Sequence, residues 1–282
     1  MRYGSATFLY RCLRRLGGAF QSALFPHRCF RCHTFYFPPQ QNNFLLDGDT
    51  APNGMDYFKA LLAPFLCQPC RHSIALLQAP FCRICGLPFE SKEGGNHTCG
   101  TCIQSPKQFD LARACGVYCD GLKDLIHCFK YRQIPQLAKP LGVLLAWGFL
   151  KYFQDRAIDM IIPVPLHPKR MRSRGFNQSY LLIHAAEKEW LRKVYDGQLP
   201  NITTKKLVRI RSTQPQTGLG RDHRRKNIRN AFAVNHFSSI SQKSVLLVDD
   251  VYTTGATVDE CARVLKKKGA GRVDVLSLAR AV

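Results

Sequence analysis

Acidic residues are scarce in this chain of 282 residues. Aspartate and glutamate number 19 against 41 lysines and arginines, so the formal net charge is +22. The positive charge is clustered: residues 169–174 hold four basic side chains and no acid, and residues 205–229 hold nine basic side chains and one acid, Asp222. Such clustering implies polyanionic partners, namely phosphate esters, nucleic acid or an anionic membrane surface.

Long apolar runs are also missing. No segment is long enough to span a membrane as a helix, and the most apolar window, residues 141–150, predicts a buried helix. A secretory signal is disfavoured because Arg11, Arg14 and Arg15 interrupt any apolar stretch and no small-residue cleavage site follows. Residues 1–25 form a basic leader without acids, which predicts a short amphipathic helix packed on its own domain. A transit peptide is the alternative.

Most of the 13 cysteines follow a metal-binding pattern. A Cys-x-x-Cys turn presents two thiolates to a tetrahedral ion, so two turns complete a zinc site, whereas a redox role would need only one pair. A cross-braced arrangement of alternate pairs, or replacement of a thiolate by His27, His33, His72 or His97, stays open. Eight cysteines fall in four such pairs: Cys29 with Cys32, Cys67 with Cys70, Cys82 with Cys85, and Cys99 with Cys102.

The spacing between the pairs differs. Thirteen residues separate the last two pairs, a compact zinc-ribbon distance, whereas 34 residues separate the first two. The longer spacer contains a polar, proline-containing segment at 38–54 that predicts a loop. The second zinc site therefore has the stronger support. Residues 26–105 are predicted to form a double zinc-ribbon module.

Residues 110–282 alternate apolar strand patterns with helical patterns, which predicts an α/β domain with a parallel sheet flanked by helices. The segment at 199–209 is expected to return toward the sheet. Strands are predicted at 111–118, 158–164, 243–248 and 273–278, and helices at 121–130, 135–152, 177–195 and 258–268.

The stretch at 245–257 carries the strongest functional signal. Four apolar residues predict a buried strand, and Asp249 and Asp250 follow at its carboxyl end, where open α/β sheets bind ligands. Small and hydroxylated residues then lead into a helix, an arrangement that holds phosphate through amide and hydroxyl donors. Carboxylates beside a phosphate loop predict a ribose 5′-phosphate ligand. A P-loop is disfavoured because its Gly-x-x-x-x-Gly-Lys-Ser/Thr pattern is absent.

This stretch resembles the 5-phosphoribosyl-1-pyrophosphate (PRPP) motif of type I phosphoribosyltransferases. The resemblance implies the type I phosphoribosyltransferase fold, with Asp249 and Asp250 binding the ribose hydroxyls. It also implies that the following residues cradle the 5′-phosphate: Thr253, Thr254, Gly255, Ala256 and Thr257.

The order of motifs along the whole chain resembles the ComF family of competence proteins. Four cysteine pairs are followed by Lys130, then by the Arg-Gly-Phe-Asn-Gln run at 174–178, and then by the PRPP motif. The long spacer between the first two pairs departs from the family pattern. The resemblance implies a cytoplasmic protein that supports import of single-stranded DNA in natural transformation, with other competence proteins such as a DNA-import helicase as partners.

If the chain is an enzyme, its chemistry is phosphoribosyl transfer, in which charge grows on a departing pyrophosphate. Mg²⁺ and the basic side chains Lys130, Arg174 and Arg224 would absorb that charge, with Arg170 as a further candidate. No residue stands out as a general base for an acceptor. A nucleobase phosphoribosyltransferase and a non-catalytic phosphoribosyl or nucleotide sensor that binds DNA are both left open as alternatives.

Overall fold

The computed structural model describes residues 26–39, 54–91, 93–213, 220–235 and 239–282, with the backbone alone at 221 and 222. The predicted leader at 1–25 and nearly all of the predicted loop at 38–54 lie outside the described residues. In the described part of the chain, no helix is both long and apolar enough to cross a membrane.

A five-stranded parallel sheet forms the centre of the fold, which confirms the predicted fold class. Its order across the sheet is β3-β9-β8-β4-β5. The strands are β3 (Leu111–Val117), β4 (Met160–Pro163), β5 (Asn201–Ile202), β8 (Ser244–Tyr252) and β9 (Arg272–Arg280).

Helices cover both faces of this sheet. Leu246 and Val248 of β8 pack into an apolar core with helix α5 (Ala138–Phe153), whereas Val245 and Leu247 pack into a second core with helix α10 (Ala256–Lys267). Because side chains alternate along a strand, a central strand covered on both faces reads as a continuous apolar run. The helices are α4 (Asp120–Tyr131), α5 (Ala138–Phe153), α6 (Pro168–Arg174), α7 (Gln178–Ala186), α8 (Arg192–Val194), α9 (Arg221–Ile228) and α10 (Ala256–Lys267).

Two elements differ from the predicted pattern. The helix expected over 177–195 widens into a π turn at Glu187–Leu191, which places Trp190 and Leu191 in the core. The segment expected to return to the sheet divides: β5 joins the sheet edge, while β6 (Leu207–Arg209) pairs antiparallel with β7 (Phe232–Val234) outside it. A pattern of apolar residues cannot specify which strand will be the partner.

The cysteine-rich region contributes small elements: β1 (His27–Arg28), β2 (Phe35–Tyr36), α1 (Gly54–Leu61), α2 (Gln68–His72) and α3 (Gly100–Gln104). Cys29, Cys67 and Cys70 of the first two pairs share the core that contains α5, whereas Cys32 is exposed. The cysteines of the last two pairs share the core that contains α10. The two halves of this region therefore lie in the cores on opposite faces of the sheet.

Candidate functional site

The two acids of the motif lie near the end of β8, which extends past them to Tyr252 because its pairing with β9 continues to Arg280. Asp250 is 8 % exposed and forms an ion pair with Lys130, whose Nζ lies 2.6 Å from Asp250 Oδ1. Lys130 is in the last turn of α4. The tertiary structure thus joins two residues that stand 120 positions apart in the sequence.

Burial, together with the neighbouring charge of Asp250, raises the pKa of Asp249 to about 7, although Lys130 opposes the rise. Burial also lowers the pKa of Lys130, but the attraction to Asp250 outweighs it and the net shift is upward. The amide of Asp250 and the hydroxyl of Ser179 lie 2.9 and 3.4 Å from Asp249 Oδ1. With a pKa near neutrality, Asp249 can accept hydrogen bonds from hydroxyls when ionised and donate one when protonated. The sequence predicted Asp249 as a site residue but not its raised pKa, because desolvation is a tertiary effect.

The loop that follows β8 turns at Gly255, which has φ 76° and caps the start of α10. A Cβ on Gly255 would collide with the Tyr252 hydroxyl, so the position requires glycine for space as well as for conformation. Thr253 and Thr257 face the cavity described below. Thr254 lies outside the cavity lining, and its Oγ1 lies 3.4 Å from the amide of Ala256.

A cavity of about 670 Å³ opens beside these residues. One wall holds the two acids together with Thr253, Gly255, Ala256 and Thr257. The remaining wall includes five basic side chains, which all approach the same space: Lys130, Arg170, Arg174, Arg209 and Arg224. Lys130, Arg174 and Arg224, the three basic residues predicted to be catalytic, therefore line the same cavity as the two acids and the phosphate loop.

Arg209 is a lining residue that sequence reasoning did not identify. It lies on β6, is 8 % exposed, hydrogen-bonds to the Thr213 hydroxyl and stacks over Phe232. Arg170 donates to the Thr213 carbonyl over 3.2 Å, so two arginines are held by one residue. The sequence did contain a signal for Arg209, since it stands among the apolar residues Leu207, Val208 and Ile210. Counting the charges of the whole segment 205–229 hides this position.

Three lining residues carry a buried nitrogen without a hydrogen-bond partner among the described residues: Gln178 Nε2, Arg209 Nε and Arg224 Nε. Leaving a buried donor unpaired costs about 1–3 kcal/mol. Arg174 lies at the same wall, donating to Gln178 Oε1 over 3.1 Å and stacking on Tyr131. A ligand with several anionic oxygens would supply acceptors for these donors.

The cysteines form two groups of four in consecutive order: Cys29, Cys32, Cys67 and Cys70, and then Cys82, Cys85, Cys99 and Cys102. Within each group the sulfurs lie within 4.8 Å of one another, which fits tetrahedral zinc, and the cross-braced and histidine-containing alternatives are not the arrangement adopted. In the second group, burial opposes ionisation of Cys82, but the amides of Cys99 and Cys85 outweigh it and lower its pKa to about 6. Both predicted clusters can therefore hold zinc.

Comparison with known proteins agrees with this architecture. The DNA utilization protein YhgH of Escherichia coli O157:H7 is 32% identical over 237 residues, covering 78% of this chain and 99% of that protein. Competence protein F of Haemophilus influenzae is 33% identical over 223 residues, covering 77% and 90%. The chain belongs to the ComF family. A more distant ComF relative, the competence protein ComFC of Bacillus subtilis, is 25% identical over 222 residues, covering 76% and 84%.

A second comparison concerns the C-terminal part of this ComF protein, which contains β8 and β9. The model of the phosphoribosyl transferase domain matches residues 192–281, from α8 to the end of β9. The match and the parallel sheet confirm the predicted phosphoribosyltransferase fold.

Proposed function

We propose that this ComF protein binds PRPP or a related 5-phosphoribosyl ligand in the cavity at the end of β8, and that it supports import of single-stranded DNA in natural transformation. The observation that carries the ligand assignment is a single cavity with two acids, a phosphate loop and five basic side chains. Three unpaired donors on its wall support an anionic ligand.

Each part of the ligand has a matching group. The turn at Gly255 and the hydroxyls of Thr253 and Thr257 suit the 5′-phosphate, because amides at a helix start favour an anion. Asp249 and Asp250 suit the ribose hydroxyls. Arg174, Arg209 and Arg224 suit the pyrophosphate, whose charge Mg²⁺ would share.

The assignment to DNA uptake rests on the ComF relatives, which include proteins named for competence and DNA utilization. Arg225, Lys226 and Arg229 support it, since these three side chains are exposed along and just beyond α9. Exposed cations bind a nucleic-acid backbone without regard to sequence. Contact with a DNA-import helicase remains a prediction.

Calorimetry of the full-length protein tests the ligand proposal. PRPP, ribose 5-phosphate and pyrophosphate should each bind, PRPP most tightly and with Mg²⁺ present. Arg224→Gln should weaken pyrophosphate more than ribose 5-phosphate, whereas the exposed Lys226→Gln should change neither. Failure of all three ligands to bind at millimolar concentration would reject the proposal. Pyrophosphate release with a panel of nucleobases then separates an enzyme from a binding protein.

A further inference from the structure

The second cysteine cluster lies in the same core as the phosphate loop. Its four cysteines belong to the same apolar core as Tyr252, Ala256 and Val258, residues that precede the loop or begin α10. Phe109, from the segment that leads from the cluster into β3, contacts the ring of Tyr252 edge-on at 6.2 Å between centroids. The candidate metal site and the phosphate loop therefore share one apolar core.

Arg280, the last residue of β9, contacts both the second cluster and Tyr252. Its Nη1 donates to the carbonyl of Cys85 over 2.6 Å, and its Nη2 lies 3.6 Å from Cys85 Sγ. The guanidinium also lies 4.2 Å from the centre of the Tyr252 ring. Arg280 is 6 % exposed, so its charge is stabilised by these neighbours rather than by water.

Tyr252 connects Arg280 to the loop. Its backbone carbonyl accepts a hydrogen bond from Ala281, next to Arg280, over 2.9 Å, and its phenol fills the space beneath Gly255. A Cβ on Gly255 would overlap that phenol, so the ring and the loop are in close contact with no free space between them. Because protein interiors are close-packed, a shift of the ring must move the loop.

Because Arg280 contacts both the carbonyl and the sulfur of Cys85, loss of a metal ion from the second cluster would alter its surroundings. Zinc held by four thiolates carries a net negative charge, which the adjacent guanidinium balances. Without the ion, no ligand bond fixes the four sulfurs, of which those of Cys85 and Cys99 lie 3.8 Å apart, and the Cys85 end of the contact with Arg280 can shift. We propose that Arg280 and Tyr252 are positioning residues that transmit metal occupancy of the second cluster to the phosphate loop.

Two features of the chain provide internal controls. Arg113 also donates to the second cluster, through the carbonyls of Cys82 and Arg83, but its guanidinium stacks on Phe81 and not on Tyr252. The first cluster lies in the core with α5, and its Cys32 is exposed, so a chelator can reach it first. Neither Arg113 nor the first cluster should affect the loop.

Hydrogen exchange of the full-length, zinc-loaded protein tests the coupling without any ligand. Peptides covering residues 252–257 are followed while a chelator removes the two zinc ions in turn, with peptides of α5 as a reference. Loop exchange should rise about fivefold or more with loss of the second ion, as for a typical coupling between sites, and not with loss of the first. Arg280→Lys should show fast loop exchange from the start, whereas Arg113→Lys should behave as the natural sequence does.

Three results would overturn the proposal. The exchange rate of the loop could stay the same when the second zinc ion is lost, or it could be equal in Arg280→Lys and Arg113→Lys. In the third case α5 loses protection together with the loop, which would mean general unfolding. A second arm rests on the proposed function. Because coupling between two binding equilibria is reciprocal, PRPP should strengthen binding of the second zinc ion by the same factor by which that ion strengthens PRPP binding. If PRPP fails to bind but loop exchange still follows the second ion, the proposed ligand is wrong and the coupling stands.

Discussion

Lys130 Nζ lies 2.6 Å from Asp250 Oδ1, and this ion pair joins the end of α4 to the end of β8. Both side chains are largely buried, at 15 % and 12 % exposure. Asp249 stands beside the pair, and its pKa of about 7 reflects burial and the charge of Asp250, moderated by Lys130. Lys130 therefore offsets the cost of holding two adjacent carboxylates in one cavity.

Lys130→Met should destabilise the protein, and more at pH 8 than at pH 5. A carboxyl whose pKa is raised in the folded state costs stability as pH rises above its unfolded value of about 4, and the cost levels off above its folded pKa. Removing Lys130 raises the pKa of Asp249 further and so increases that cost. We expect a loss of about 3 kcal/mol in the free energy of unfolding at pH 8. Denaturant titrations measure it, with the exposed Lys123→Met as control. Equal losses at both pH values would contradict the prediction.

Asp249→Asn should weaken PRPP binding by about 1–3 kcal/mol, because a carboxylate makes stronger hydrogen bonds to hydroxyls than an amide does. In the natural sequence, affinity should rise between pH 6 and pH 8 as Asp249 ionises. That rise should be reduced in the variant. Calorimetry at the two pH values checks both points, with the exposed Asp155→Asn as control. An unchanged affinity would remove Asp249 from the ribose site.

The purified protein should contain two zinc ions per chain. Replacing Cys82 and Cys85 by serine should remove one ion, and replacing Cys29 and Cys32 should remove the other. The loss at the second cluster should lower thermal stability more, because all four of its cysteines are buried whereas Cys32 is exposed. Metal analysis and thermal denaturation provide the measurements, with Cys119→Ser, outside both clusters, as control. Retention of two ions by either double variant would disprove the ligand assignment of that cluster.

Single-stranded DNA should bind through the exposed side of α9. The basic side chains of α9 have different surroundings: Arg224 lines the cavity, whereas Arg225 and Lys226 are exposed. The double variant Arg225→Ala with Lys226→Ala should lower the salt dependence of oligothymidine binding, by about 0.7 in the log–log slope for each lost phosphate contact. PRPP binding should stay unchanged. Lys188→Ala with Lys193→Ala removes the same charge elsewhere and should leave the slope intact. An unchanged slope in the α9 variant would assign DNA binding to another surface.

Parts of the candidate site were predictable because they are local in sequence. A strand, two acids and a small-residue turn into a helix are neighbours along the chain, and the structure places Asp250 and Gly255 accordingly. The cysteine pairs were predictable for the same reason. Long-range partners were not: the pairing of Lys130 with Asp250 and the position of Arg209 on the cavity wall depend on strand order and on the β6–β7 pair.

By itself the sequence determined the main strands and helices around the parallel sheet, the ligand motif and the metal-binding turns, since these follow from spacings of a few residues. The tertiary structure decided which charges meet. It buried Asp249 enough to raise its pKa to about 7, brought Arg209 and Arg224 to the same cavity, and set Arg280 between Cys85 and Tyr252. Desolvation and close packing act between residues far apart in the chain, and so no local pattern records them.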